Sequence, residues 1–318
     1  MNVTEVMNAF VLGMPLRPGS EIVIGDLEYG AIQNLARFRA ERDGLKLRTI
    51  HLPTTPEEIA GVTAESLVSG ILEQLSPETS LLILSDVMTS NGLTLPLPEL
   101  ARETRKRGVL LAIDGAHGPG FLPVDLGRLD DVDFYGGNLH KWMLGAKGTA
   151  FGWLPERHQT VIRPLHAGWT TFETGPFFTE FGGGSRFQGA FLLNGCHDFA
   201  PYFAIVDTID FWDRLGREKI RDRIVALQTV VEDEMRRQLP DWKLASPPLG
   251  PRRGPLVAYT LPARLAGREP QLMREMIERH HVQVHIVPVQ KTWRLRLSPH
   301  IYLSEDEITR GVKALASL

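Results

Sequence analysis

Residues 109–120 read VLLAIDGAHGPG. An unbroken apolar run ends in an acid and then in a turn rich in glycine. A strand that is apolar at every position, rather than at alternate ones, is covered on both faces. Such strands belong to parallel sheets sandwiched between helices. The chain on either side repeats the pattern. Residues 21–24 (EIVI), 47–52 and 81–85 (LLILS) read as strands, and residues 31–42, 62–75 and 98–107 read as helices. Gly108 follows the last of these helices, where a C-terminal cap belongs. The alternation predicts an α/β fold with a mainly parallel sheet sandwiched by helices. In such sheets the ligand sits at the carboxyl ends of the strands, where Asp114 falls.

Beyond residue 200 the pattern changes. Two long amphipathic stretches run to about residue 239, and a Pro- and Gly-rich loop covers 245–255. Strands are expected near 256–260, 282–287 and 293–297, with a helix over 271–280 and a last helix from Ser304. Ser304 and Glu307 have the spacing of a capping box. The organisation expected is a large domain over 1–200, linking helices over 201–240 and a small C-terminal α/β domain over 241–318.

The bulk numbers restrict the partners. The chain has 318 residues, enough for one large domain and a smaller one. A net charge of −3 gives no reason to expect nucleic acid or a membrane surface. One cysteine, Cys196, excludes an internal disulfide framework and fits a reducing compartment. No apolar run has the length of a membrane span, and the first residues lack a signal-peptide pattern. The default expectation is a cytoplasmic protein.

Residues 133–142, DFYGGNLHKW, set Asn138, His140 and Lys141 behind two glycines. A lysine is costly to bury, so a lysine beside a histidine at the end of an apolar stretch asks for a chemical role. Three readings compete. A dinucleotide site would need G-x-G-x-x-G, which GAHGPG does not match, and Pro119 removes an amide. A metal site could draw on Asp114, His117, His140 and His166, but no tight metal-binding motif joins them. The third reading joins Asp114, His117 and Lys141: a lysine can form an imine with an aldehyde cofactor, and an aspartate can keep a pyridine nitrogen protonated.

IDGAHGPG (113–120) followed by DFYGGNLHKW (133–142) resembles the signature of class V aminotransferase-fold enzymes, most closely the isopenicillin N epimerase-like branch. Cysteine desulfurases form a sister group. The resemblance runs over nearly the whole chain. It implies the fold of PLP-dependent transferases (fold type I) and pyridoxal 5'-phosphate as cofactor. By resemblance Lys141 is the Schiff-base lysine, Asp114 the partner of the pyridine nitrogen, and His117 a hydrogen-bond partner near the cofactor's phenolic oxygen. Tyr29 matches the ring stacked on the pyridine. Val3 and Thr4 match the phosphate-binding turn at a helix N-terminus, where backbone amides meet an anion. Asn138 and His140 match further phosphate contacts. Arg296 matches the arginine that grips a substrate carboxylate. Arg294, its neighbour in the same strand, is expected to face the other way. Gly184-Ser185-Arg186 resembles a stretch that reaches the phosphate of the neighbouring subunit, with Phe187 in place of the usual aspartate. Through Ser185 the resemblance implies a homodimer with active sites at the interface.

The chain departs from this pattern in three places. The phosphate-binding turn begins at Asn2, where family members have a further stretch before it, so a shortened chain with a more open pocket, or an inactive scaffold, is a possible outcome. No cysteine stands shortly before Arg296, and Cys196 lies far off in an apolar setting, where a buried thiol is inert. Persulfide chemistry of the desulfurase type is therefore not expected. His166, Trp169, Thr170, Phe172, Phe177, Phe178 and Phe181 are candidates for a substrate wall. The function expected is a PLP-dependent enzyme acting at the α- or β-carbon of an amino-acid-derived substrate, as an epimerase, racemase or β-lyase. An aminotransferase and a non-catalytic scaffold are the alternatives, with a metal-dependent hydrolase behind them.

Overall fold

Strands β1 (Glu21–Gly25), β2 (Lys46–Ile50), β3 (Thr79–Ser85), β4 (Leu110–Gly115), β5 (Phe134–Asn138) and β6 (Ala150–Trp153) form one sheet in the order β2-β1-β3-β4-β5-β6. The structure is a computed structural model and describes residues 2–172, 185–192 and 195–318. The first five strands pair in parallel, and β6 runs antiparallel to β5 at the edge. The expected parallel sheet is present. Its antiparallel edge strand was not foreseen.

The central strands are apolar throughout because they serve two cores. Leu82 and Leu84 of β3 face one way, against Leu67 of α4 (Ala64–Glu73) and Leu100 of α5 (Leu97–Lys106). Leu81 and Ile83 face the other way, against Phe10 of α1 (Val3–Gly13) and Ile32 of α2 (Gly30–Asp43). Alternation along the strand puts these pairs on opposite faces, and each fully buried aliphatic side chain contributes about 1.5–3 kcal/mol. Gly44 ends α2 in a left-handed conformation at φ 64°. Short helices α3 (Pro56–Ala60) and α6 (Glu156–Gln159) sit in the connections.

Helix α7 (Arg186–Leu192) is followed by two long helices, α8 (Ala200–Leu215) and α9 (Arg217–Gln238). They lead into a second sheet of β7 (Lys243–Leu244), β8 (Val257–Thr260), β9 (His285–Val289) and β10 (Thr292–Leu297), antiparallel in the order β7-β8-β10-β9. Helices α10 (Glu269–His280) and α11 (Glu305–Leu315) cover it, together with Leu227, Val231 and Met235 of α9. Ser304 and Glu307 form the capping box that their spacing indicates.

Two contacts tie this second unit to the site. Trp212 of α8 donates its indole N–H to the Met143 carbonyl at 2.6 Å. Phe121, Trp142, Trp212, Ile220, Ile224 and Leu256 make a small core beside it. Residues 141–143 are therefore gripped from both units. No helix among the described residues is long and apolar enough to cross a membrane.

Candidate active site

The carboxyl ends of β3, β4 and β5 open onto a cavity of about 570 Å³, a volume usual for a small-molecule site. The parallel register sets Ser85 beside Asp114, and Asp114 beside Gly136. Val3, Thr4, Tyr29, Asp114, His117, Asn138, His140, Lys141 and Arg296 all line this cavity. The structure thus brings together nine residues spread over nearly 300 positions of sequence.

Asp114 is the acid of the site. Its side chain is buried, and Ala116 N–H donates to Oδ1 at 2.9 Å. Burial pushes its pKa up to about 6, and the Lys141 charge holds it back. Burial likewise draws the Lys141 amine below its ordinary value, opposed by Asp114 and aided by Arg296. Lys141 Nζ lies 3.2 Å from His117 Nε2. The other ring nitrogen, Nδ1, accepts the indole N–H of Trp142 at 3.0 Å. Burial keeps His117 well below the usual imidazole pKa, with Lys141 and Arg296 adding to the effect, so the ring is neutral at pH 7.

The anion end is built from α1 and the lysine turn. Asn2 caps α1: its side chain accepts from Glu5 N–H, and Glu5 accepts from Asn2 N–H. Val3 N–H is not left for an anion. It donates to Asn138 Oδ1 at 2.9 Å, and this corrects the expectation that both Val3 and Thr4 present amides. The contact turns the Asn138 amide nitrogen, a donor, to the remaining directions. Thr4 stays in the first turn of α1, where the helix dipole favours negative charge. His140 places Nδ1 3.2 Å from the Thr149 carbonyl, so Nδ1 carries a hydrogen there. Nε2 then donates to an anion only as imidazolium.

Lys141 sits in a tight turn. Leu144 N–H donates to the Lys141 carbonyl at 3.1 Å, and Gly145 N–H to the Leu139 carbonyl at 2.8 Å. Leu144 has φ 56°, a costly conformation for a residue with a Cβ, and it lines the cavity. The glycines of GAHGPG serve packing. A Cβ on Gly115 would meet the Tyr135 ring at 2.2 Å, and one on Gly118 would meet Asp86 Oδ2 at 2.0 Å. No phosphate loop is needed to account for them, so the dinucleotide reading loses its support.

Several neighbours were not anticipated. Thr89 Oγ1 accepts from Arg296 Nη1 at 2.6 Å and lies 3.5 Å from His117 Nε2. Asp86 is fully buried and takes the Tyr135 hydroxyl at 2.5 Å on Oδ2, while Oδ1 has no hydrogen-bond partner among the described residues. Burial and the nearby Asp114 push its pKa up to about 7, although the Tyr135 hydroxyl opposes this. Glu28 accepts from both the hydroxyl and the amide of Ser85 and is pushed up to about 8, first by burial. Tyr29 is 55% exposed at the mouth. His285, His300 and Tyr302 complete the wall on the side of the second sheet.

Other expectations are corrected. Arg294 does not face away from Arg296. Residues two apart on a strand share a face, and both guanidinium groups reach the first unit, Arg294 to Thr54 and Arg296 to Thr89. Arg296 lines the cavity and Arg294 does not. Cys196 is exposed rather than buried, and it lies outside the cavity lining. His166, Trp169, Thr170 and Phe172 are also outside it. Trp169 and Phe172 are exposed, and the Thr170 hydroxyl donates to the Gly189 carbonyl. Phe177, Phe178, Phe181 and Gly184 lie outside the described residues. Ser185 Oγ accepts from Gln188 N–H at 3.1 Å at the start of α7, away from its own chain's cavity. No group of three or more His, Cys, Asp or Glu that could hold a metal ion occurs among the described residues.

The donor set fits a charged, ring-shaped cofactor. One buried carboxylate can face a protonated ring nitrogen. One buried amine can bond an aldehyde carbon, one aromatic ring lies at the mouth, and a helix N-terminus with an amide side chain can meet a phosphate. A family model, Aminotransferase class-V, matches residues 1–310. The chain is 34% identical to "Isopenicillin N epimerase" of Streptomyces clavuligerus, over all of this chain and 78% of that protein. It is 31% identical to the protein of the same name from Amycolatopsis lactamdurans, over all of this chain and 79% of that protein. A solved structure of a cystine C–S lyase in complex with cysteine persulfide superposes with a TM-score of 0.84 at 23% identity, covering 100% of this chain and 80% of that one. The chain belongs to the class-V aminotransferase family, with its fold type I architecture and its cofactor, pyridoxal 5'-phosphate.

Proposed function

We propose that this class-V aminotransferase family member moves the α-proton of an amino-acid-derived substrate, as an epimerase. One observation carries the reading: Lys141, Asp114 and Arg296 meet in a single cavity, in a chain 34% and 31% identical to two isopenicillin N epimerases. Arg296 binds the substrate carboxylate, where its planar fork suits two parallel hydrogen bonds. Pyridoxal phosphate, when bound, supplies an electron sink for the pair left behind when the α-proton departs. Asp114 holds a proton at the ring nitrogen. Lys141 would hold the cofactor through its aldehyde carbon, and its free Nζ would take the α-proton of a bound substrate. Burial draws its pKa below the ordinary lysine value, which raises the share of the free amine. A proton delivered from solvent to the other face would invert the α-carbon, leaving the abstracted proton on Lys141.

Persulfide formation on this chain is not part of the proposal, because its single cysteine, Cys196, does not line the cavity. A homodimer is part of it. Phe203 and Val206 of α8 are 78% and 65% exposed, as suits a face covered by a second copy, with Ser185 reaching the neighbouring site. Sedimentation at several concentrations tests this, and a monomer throughout would contradict it.

The function itself is tested in heavy water with amino acids and β-lactam-linked amino acids of both configurations. The epimerase reading expects deuterium at the α-carbon together with inversion, both lost in Lys141→Ala. Release of a β-substituent with ammonia and a keto acid would contradict it in favour of a lyase, and net amine transfer in favour of a transaminase.

A further inference from the structure

We propose that Trp142 is a positioning residue whose indole N–H locks His117 in the Nε2–H tautomer, so that Lys141 faces a hydrogen-bond donor. An indole nitrogen can only donate. At 3.0 Å from Trp142 Nε1, His117 Nδ1 is therefore the acceptor. A neutral imidazole carries a single N–H, which then belongs to Nε2. Both side chains are buried, so water does not compete for Nδ1.

The indole is itself held. Its ring stacks on His300 at 5.1 Å and 8°, and His300 stacks in turn on Tyr302 at 4.9 Å and 8°. His300 Nδ1 accepts the Ile301 N–H at 2.8 Å, leaving Nε2–H to donate to the Trp142 carbonyl at 3.2 Å. Gly120, at φ 93°, packs so closely that a Cβ would lie 2.6 Å from the Trp142 carbonyl carbon. The tautomer is set by this clamp, not by a carboxylate.

The consequence falls on Lys141, and it rests on the reading of that lysine as the amine that bonds the cofactor. Nε2 lies 3.2 Å from Nζ. A neutral amine can accept the Nε2 hydrogen, whereas an ammonium group has three donors and no acceptor. The opposite tautomer would accept from an ammonium and stabilise it. Asp114 and Asp86 favour the charged lysine, while burial and Arg296 oppose it. The indole N–H, acting through His117, adds its weight to the neutral, nucleophilic form. It also makes His117 a donor to whatever oxygen lies beside it, and not a base.

The test uses the full chain labelled with 15N-histidine, first without pyridoxal phosphate and then loaded with it. His117 is identified among the ten histidines by the signal missing from His117→Gln. The expected spectrum has a pyridine-type Nδ1 and a pyrrole-type Nε2, unchanged between about pH 6 and about pH 8. Trp142→Phe keeps a ring against His300 and deletes the N–H. It should show both tautomers, and its uptake of pyridoxal phosphate should be about tenfold slower at neutral pH, the pH midpoint rising by about one unit. An unchanged tautomer and midpoint in Trp142→Phe would overturn the proposal. If that variant does not fold, the wild-type chain labelled with both 15N-histidine and 15N-tryptophan decides: a scalar coupling between Trp142 Nε1 and His117 Nδ1 supports the lock, and its absence overturns it. A locked tautomer in a chain that never bonds the cofactor at Lys141 would support the lock and contradict the reading of the site.

Discussion

The Arg296 guanidinium donates to the Thr89 hydroxyl at 2.6 Å, joining β10 of the small sheet to the turn after β3 of the large one. With a longer bond to the Thr89 carbonyl at 3.3 Å, this contact aims the cavity's guanidinium from one unit by oxygens of the other. Arg296→Ala should raise KM for a carboxylate substrate by about 10–100-fold, since hydrogen bonds to charged groups contribute about 1.5–3 kcal/mol. Thr89→Val removes the hydroxyl, with its long contact to His117, keeps the Arg296 bond to the Thr89 carbonyl at 3.3 Å, and should raise KM less, about 2–10-fold. Steady-state kinetics on both variants checks this. An unchanged KM in Arg296→Ala would mean that another group holds the carboxylate.

Asp114→Asn keeps the shape of the buried acid and removes its charge. The Ala116 N–H contact survives on the amide oxygen. Turnover should fall by about 10²–10³ while the cofactor stays bound, the loss expected when a charge stabilising the transition state is removed. Absorbance of the bound cofactor and kcat, measured on one preparation, separate the two effects. Loss of cofactor with a normal kcat in the loaded fraction would assign Asp114 to binding alone.

Asp86 should make the chain's stability fall with rising pH. Its folded pKa, about 7, lies above the ordinary carboxyl value of 3.8, so the folded chain holds a proton that the unfolded chain releases. That contribution is complete below about pH 4 and is lost as pH rises toward about 7. Asp86→Asn cannot titrate. Relative to wild type it should gain stability between about pH 4 and about pH 7, by a few kcal/mol at most, at about 1.4 kcal/mol per pH unit. Urea unfolding at both ends of that range reads the difference. A constant offset would contradict the raised pKa.

Gly118→Ala should destabilise the chain by about 1–3 kcal/mol, the usual cost of overpacking. The added methyl meets Asp86 Oδ2 at 2.0 Å and the Tyr135 hydroxyl oxygen at 2.3 Å. Thermal unfolding of this variant beside Gly19→Ser checks the cause. Gly19 lies in open space at φ 72°, so its replacement tests backbone strain without crowding. Gly118 has no such φ, so a Gly118→Ala variant as stable as wild type would contradict the steric account.

Much of this was legible in the sequence for simple reasons. VLLAI is apolar at every position because β4 lies between two cores, and that alone put Asp114 at the mouth of a parallel sheet. Lys141 was legible because a lysine after a buried strand is anomalous. Arg296 lines the cavity, as its place in the strand suggests, but Arg294 does not face away from it, since strand positions two apart share a face. Cys196 was misjudged because apolar neighbours in sequence do not fix exposure in a connection. Thr89, Asp86 and Trp142 were missed as parts of the site for another reason. Each acts through a residue 25 or more positions away, to His117, Tyr135 or Arg296, and local pattern carries no trace of such pairings.

The central claim is that Lys141 bonds the cofactor, and borohydride reduction followed by peptide mass mapping tests it most directly. The account predicts a phosphopyridoxyl group on Lys141 and none on Lys147, the next lysine in the chain. An adduct elsewhere, or none after incubation with pyridoxal phosphate, would contradict it.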